Sequence, residues 1–415
     1  MSSPKIAETI GGYEFRWVDL ELSISVSKLH VHSDGHVTGF LDIRTTRKGF
    51  NPILYPPTQF NFSSPRTRTS LVKELTESFP DWPWEGVIYQ ISLHVQDLTN
   101  RGEPVVELWT SADVPRPEWL LEPILYRGLP TIIFGEKAVA KSTLALAVYA
   151  CLTLPWAENP LGWTAPARPL KVLLADWEVD ANVAQWNAKQ LQEGMDLGAF
   201  PLHYRRCSRP LADDVEQFQK HLANLGAEVL IVDSLGPAVG GKLNEPEQAL
   251  AFTTALRKLK VSSLIIGQTS KGGDTKTKAK ASVYGSTFFS YFARNIFELK
   301  RVQEEGETTL DIALYNTYNN LGRRSPAQGF HLFFNGSGTH IEQQEITAPE
   351  LVARLGTQAG IRKLLLGGAK TVEEIAESLE LKESNIRVAL SRLKKGGKIT
   401  KIGETWGLLA NEEEL

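Results

Sequence analysis

The 415-residue chain is poor in sulfur and has no surplus of either charge: two cysteines, two methionines, and 45 basic against 48 acidic residues. Cys151 and Cys207 show neither a disulfide framework nor metal-ligand spacing. Cys151, set in an apolar stretch, reads as a small core residue. A net charge of -3 excludes a uniformly basic nucleic-acid coat, so contact with nucleic acid would have to come from local patches. No run is apolar for long enough to span a membrane, and no signal-peptide pattern opens the chain. These absences point to a cytoplasmic protein with no membrane partner. The composition, 42% hydrophobic and 22% charged, is globular, and the length allows two or three domains.

What is present centres on residues 131–150. The β-branched run Thr131-Ile-Ile-Phe134 stops at Gly135. Glu136, Lys137, Ala138, Val139 and Ala140 form a short loop, and Lys141, Ser142 and Thr143 open an apolar helix. Strand, loop and helix in that order aim backbone N–H groups and a helix N-terminus at a polyphosphate. In such a loop Lys141 reaches the β- and γ-phosphates and the Ser142 hydroxyl ligates Mg²⁺. One position departs from G-x-x-x-x-G-K-[ST]: Ala140 stands where the second glycine belongs.

Around this centre the chain divides into three expected parts. Residues 1–110 form an α+β accessory domain, with one alternating strand over Phe15–Val26, another over Val37–Ile43 and a helix over Leu71–Phe79. Trp17, Trp82 and Trp84 are core candidates there. Residues 115–345 are an α/β core whose β-branched runs alternate with helical segments, the pattern of a largely parallel sheet. Its expected strands after the loop are 171–175, 202–205, 229–232, 263–266, 295–299 and 308–314. Residues 357–412 read as helix, helix, recognition-type helix and hairpin, the order of a winged helix-turn-helix, with Thr371 and Glu374 in capping-box spacing.

The remaining chemistry sits at strand ends. Val229-Leu-Ile-Val-Asp233 is a buried strand whose terminal Asp233 can hold the Mg²⁺ shell. Leu173-Leu-Ala-Asp-Trp-Glu178 ends a neighbouring strand, which makes Glu178 the candidate base for water, the alternative being a helix cap. Gln268 ends a fourth strand and can sense the γ-phosphate or the attacking water. Lys271, Lys276, Lys278 and Lys280 follow it in a glycine-containing loop that is either a nucleic-acid contact or a solvated surface. Lys242, after the Asp233 strand, is a further candidate for that contact, as are Asn385, Arg387, Arg392 and Lys394 on or near the reading helix. Arg294 is either an arginine finger inserted into a neighbouring subunit's site or a local ion pair, with Lys300 and Arg301 as rivals.

Together, Gly135–Thr143, Asp176-Trp-Glu178, Val232-Asp-Ser-Leu235 and Gly285-Ser-(x)₇-Arg294 resemble the RecA-like ATPases of RepA type, the hexameric plasmid replicative helicases. With Tyr204–Asp214 and Val283–Ser286, they resemble more closely the AAA-family ATPases of bacterial mobile elements and prophages. The resemblance covers roughly residues 115–335 and, less specifically, the N-terminal domain. It implies ATP-dependent assembly into a ring, shared sites and loops facing a channel. It also supports Lys141 and Ser142 for phosphate and Mg²⁺, Glu178 as base, Asp233 for Mg²⁺ and Arg294 as finger. Ala140 replaces the family's usual glycine, and Gln268 stands where RepA-type helicases commonly carry histidine. The expected function is a DNA-associated ATPase motor in a homo-oligomeric ring, a hexamer foremost. The alternatives are a nucleotide-gated DNA-binding regulator and a helicase loader.

Overall fold

The structure is a computed structural model that describes residues 2–409 apart from 33, 102–104, 112, 155, 270–286, 304–305, 337, 353–354 and 356. It divides into two compact units, residues 1–114 with 215–223 and residues 115–214 with 224–415.

In the first unit, strands β1 (Lys5–Thr9), β2 (Gly12–Trp17), β3 (Leu22–Val31), β4 (Val37–Thr45) and β5 (Ile53–Asn61) form an antiparallel meander in sequence order. Helices α1 (Pro65–Ser78) and α2 (Trp84–Asn100) follow. The expected single strand over Phe15–Val26 is instead a hairpin. Residues 18–21 turn, with Glu21 in left-handed backbone at φ 52°, and Trp17 pairs with Leu22 across it. The apolar alternation slips phase between Trp17 and Val18, which is the sequence trace of that turn. Trp17, Trp82 and Trp84 are buried with Phe15, Leu41, Val87 and Ile91. The Trp82 and Trp84 indoles donate to the Leu20 and Phe79 carbonyls at 3.0 and 2.7 Å. Arg68 donates to the Phe62 carbonyl at 3.0 Å, serving the helix entrance.

The second unit opens with the small hairpin β6 (Trp119–Leu121) and β7 (Leu125–Tyr126). Then come β8 (Pro130–Gly135), α3 (Lys141–Thr153), β9 (Val172–Asp176), α4 (Ala181–Gly194), β10 (Tyr204–Arg206), α5 (Leu211–Leu225), whose residues 215–223 count with the first unit, and β11 (Val229–Asp233). Next are α6 (Leu235–Val239), α7 (Pro246–Leu259), β12 (Ser262–Gln268), α8 (Thr287–Phe292), β13 (Asn295–Val302) and β14 (Thr309–Asn319). Two further strands, β15 (Gln328–Asn335) and β16 (Gly338–Gln344), complete a sheet of nine strands among the described residues.

Its order is β10-β9-β11-β12-β8-β13-β14-β15-β16. The strands from β10 to β13 run parallel, and β14 to β16 continue antiparallel. The α/β expectation holds for the parallel part, while β15 and β16 lay outside it. Parallel strands covered on both faces are apolar throughout, and β9 and β11 are buried at every position. Helix α3 is buried continuously from Leu144 to Leu152, as expected of a helix that is apolar all round. Burial pushes the Cys151 thiol up to about 12, leaving it an inert core group. Among the described residues, no helix is long and apolar enough to cross a membrane.

The C-terminal elements are α9 (Pro349–Val352), α10 (Thr357–Leu366), α11 (Val372–Ser378), α12 (Glu383–Lys395), β17 (Ile399–Ile402) and β18 (Thr405–Leu408). Thr371 and Glu374 exchange both capping-box hydrogen bonds, at 2.7 and 3.2 Å. These helices share a core with the end of the sheet. Ala313 and Tyr315 of β14 and Ile346 share one core with Ile361, Ile375, Ile386 and Leu390. The Tyr315 hydroxyl also donates to the Leu351 carbonyl at 2.5 Å.

Candidate functional site

Four strand ends converge. Strand β12 lies between β8 and β11, with Gln268 paired to Gly135 and Ile266 to Asp233; β9 flanks β11, with Asp176 paired to Asp233. Side chains at the C-terminal ends of β8, β11 and β12, and Glu178 just beyond β9, therefore open on one side of the sheet, where open α/β folds bind ligands. A cavity of about 390 Å³ there is lined by residues 137–143, Glu178, Asp233, Ser234, Ile266 and Gln268.

The loop is built as the spacing requires. Gly135 has no room for a side chain, since a Cβ there would lie 2.5 Å from the Leu299 carbonyl oxygen. Ala140, the departure from the motif, takes φ 60° and ψ 29°, the left-handed conformation that glycine adopts without steric cost. Ala138 is also left-handed, at φ 56°. Lys141 folds back onto the loop, its ammonium donating to the Gly135 carbonyl at 3.1 Å and to the Glu136 carbonyl. Burial lowers its pKa, against the raising pull of Asp233, Glu178 and Glu136.

The Ser142 hydroxyl hydrogen-bonds Asp233, which brings a hydroxyl and a carboxylate together as a hard-oxygen pair of the kind Mg²⁺ takes. Burial pushes the Asp233 carboxyl up to about 6; Ser142 and Lys141 oppose the shift, and the Asp176 and Glu178 charges add to it. A divalent cation at this pair would favour the ionised form.

Glu178 is not a helix cap. Asp180 caps α4, accepting from the Asn182 and Val183 N–H groups at 2.9 and 3.0 Å. Asp176 is committed to the turn, accepting from the Glu178 and Val179 N–H groups at 2.7 and 3.0 Å. Glu178 thus projects into the cavity on a turn that Asp176 fixes. Its carboxylate accepts from the Ser234 hydroxyl, a partner missed in the sequence although Ser234 directly follows Asp233.

The other candidates scatter. Arg294 precedes β13 at the opposite edge of the sheet, its backbone N–H donating to the Pro130 carbonyl at 3.1 Å. Leu299, five residues on, is the residue beside Gly135, so roughly 16 Å of strand rise separates Arg294 from its own phosphate loop. Arg294 lines a second cavity of about 360 Å³ with Arg257, Lys260 and Phe292. Among the described residues no carboxylate pairs with it. Lys300 and Arg301 lie at the other end of β13, against the loop.

Lys242 pairs loosely with Glu245 at 3.6 Å. On α12, Arg387 is engaged with Glu383 at 2.8 Å, one helical turn away, and Lys394 lies over the Trp406 ring at 6.0 Å. Asn385 and Arg392 instead line an open groove between α10 and α12. Lys271, Lys276, Lys278 and Lys280 lie outside the described residues, as does the 283–286 motif.

Comparison with known proteins places this geometry in a family context. Residues 98–274 match the profile of the family described as AAA domain, spanning the loop, Glu178, Asp233 and Gln268. With the parallel-rich sheet, this match supports a RecA-like P-loop ATPase core. A solved structure, the KaiC-like protein PH0186 from the hyperthermophilic archaeon Pyrococcus horikoshii OT3, aligns over 55% of this chain and 95% of its own at 15% identity. The TM-score is 0.36. No curated protein matches.

Proposed function

We propose that this protein is an ATP-hydrolysing, DNA-associated motor, a RepA-like helicase, translocase or DNA-remodelling ATPase of a mobile element or replication system. It would act as a homo-oligomeric ring, a hexamer foremost. The observation that carries the ATPase part is the convergence of Lys141, the Ser142–Asp233 pair, Glu178 and Gln268 on one cavity. In this reading Lys141 leaves the loop carbonyls for the β- and γ-phosphates. Ser142 and Asp233 would hold Mg²⁺, which when bound offsets charge on the transferring phosphoryl group. Glu178, oriented by Ser234 and by the Asp176 turn, accepts a proton from the attacking water. Gln268, beside Gly135, hydrogen-bonds that water or the γ-phosphate.

The DNA part rests on fewer supports. The order of α10, α11, α12 and the β17–β18 hairpin is that of a winged helix, in which α12 would offer Asn385 and Arg392 to a duplex. Lys242 and the 271–280 lysines would follow a single strand by charge. Arg294, far from its own loop and without a carboxylate partner among the described residues, would meet the γ-phosphate of a neighbouring subunit. The cytoplasm remains the expected compartment.

Steady-state ATP hydrolysis without DNA, with single strands and with duplex tests this reading, with Lys141→Ala protein as the blank. Stimulation by single strands and loss of turnover in the variant are expected. Turnover unchanged in Lys141→Ala would remove the phosphate-loop assignment. A second reading, a nucleotide-gated DNA-binding regulator or helicase loader, is favoured by alanine at 140, which holds at a steric cost the left-handed backbone that glycine adopts freely. Weak, DNA-indifferent turnover with tight duplex binding would select it.

A further inference from the structure

We infer that Lys300 and Arg301 are positioning residues that hold the phosphate loop in its anion-receiving shape from within the same chain, supplying what the missing second glycine does not. This rests on the nucleotide reading of the site. Ala138 and Ala140 both hold left-handed backbone, at φ 56° and 60°, where an L-side chain is disfavoured. Ala140, the residue before α3, makes no side-chain cap hydrogen bond. Left to itself, such a loop would relax toward ordinary φ values.

The end of β13 prevents that. Leu299 abuts the base of the loop so closely that only glycine fits at 135, and the next two residues reach over it. The Lys300 ammonium lies 2.7 Å from Glu136 in the loop and 3.4 Å from Glu298 in the sheet. The Arg301 guanidinium donates to the Ala138 carbonyl, on one of the two left-handed residues, at 2.8 Å. Arg301 is itself braced. It donates to Gln303 at 3.3 Å, and the Gln303 amide donates in turn to the Glu307 and Thr309 carbonyls at 3.3 and 3.1 Å. The sheet thereby grips a loop more than 160 residues away in sequence, through charge-assisted hydrogen bonds that a neutral residue would not provide.

The test is a double-mutant cycle between Arg301→Ala and Ala140→Gly, with Arg301→Lys as the conservative variant. Two readouts are taken: equilibrium binding of Mg-ADP, and amide exchange of the peptide over residues 135–143 without nucleotide. Arg301→Ala should weaken binding roughly tenfold and speed loop exchange, because it frees a backbone strained by about that factor. Ala140→Gly in the same chain should recover most of the loss, since glycine holds the left-handed shape unaided, and Arg301→Lys should fall between. Several outcomes would overturn the inference: unchanged affinity, a deficit equal in both backgrounds, or weakened binding with unaltered loop exchange. Recovered turnover on mixing Arg301→Ala with Lys141→Ala protein would also overturn it, by placing Arg301 in a neighbour's site. If wild-type protein binds no Mg-ADP, the nucleotide reading fails, while loop exchange still decides the clamp.

Discussion

At the C-terminal ends of β8, β11 and β12, a cavity of about 390 Å³ collects Glu178 and Asp233 with Lys137 and Lys141. At the N-terminal ends of β8, β12 and β13, a cavity of about 360 Å³ is lined by Arg257, Lys260 and Arg294 and, among the described residues, by no carboxylate. The two lie on one sheet, are of similar size and differ in chemistry. Chain direction accounts for much of the difference. In a parallel sheet the first edge receives helix N-termini such as that of α3, which favour anions. The second receives helix C-termini such as that of α7, where Arg257 and Lys258 complement exposed carbonyls. Carboxylates placed among anion-favouring groups make a site that can bind a phosphate, hold a cation and move a proton. Cations alone make a surface whose use depends on another molecule bringing the negative charge.

That contrast is most sharply broken at Arg294. If it completes a neighbour's site, Arg294→Ala should leave nucleotide affinity intact and lower turnover roughly a thousandfold. Mixing this variant with Lys141→Ala protein should then return activity at hybrid sites. Normal turnover in the variant, or no recovery in mixed rings shown to form, would leave the second cavity with a structural role only. Next in size is Glu178→Gln, which should keep Mg-ATP binding and lower turnover on the order of a hundredfold or more. A variant with normal turnover would shift the base elsewhere, although Asp176 is already occupied by two backbone N–H groups.

The smallest effect concerns stability. Burial raises the Asp233 carboxyl from 3.8 to about 6, so the folded protein binds that proton more tightly than the unfolded chain. The resulting stability is fully present below about pH 4 and is lost as pH rises through 6. Nucleotide-free Asp233→Asn protein should therefore melt higher than wild type at pH 8, by up to about 3 kcal/mol, with the gap closing near pH 4. A variant that melts lower at pH 8, or a gap independent of pH, would show that the buried charge is not a burden.

Much of the first cavity was legible because its parts are local. The loop follows its strand within a few residues, and Asp233, Glu178 and Gln268 are read from apolar runs that end in a polar side chain. Helix α11 announced itself through Thr371 and Glu374, a capping box being a contact across three residues. The hairpin at residues 18–21 was hidden because alternation continues on both sides of the turn and only its phase slips. Strands β15 and β16 were hidden because antiparallel strands that are solvated on one face carry mixed patterns, as the exposed Asn335 and half-buried His331 show. On α12, the Glu383–Arg387 pair follows i,i+4 spacing and was readable in the sequence, whereas Trp406, which Lys394 overlies, comes from the hairpin that follows.

The sequence by itself determined that a phosphate loop exists, which residues could serve it, and that two acidic strand ends accompany it. Local stereochemistry and apolar periodicity act over a handful of residues and leave a direct trace. Only the tertiary structure decided that β12 inserts between β8 and β11, that Ser234 rather than a helix end holds Glu178, and that Arg294 faces away from its own loop. It alone set Arg301 against Ala138. Those relations depend on strand order and register between segments tens to hundreds of residues apart, where many pairings satisfy the same local pattern and packing selects one.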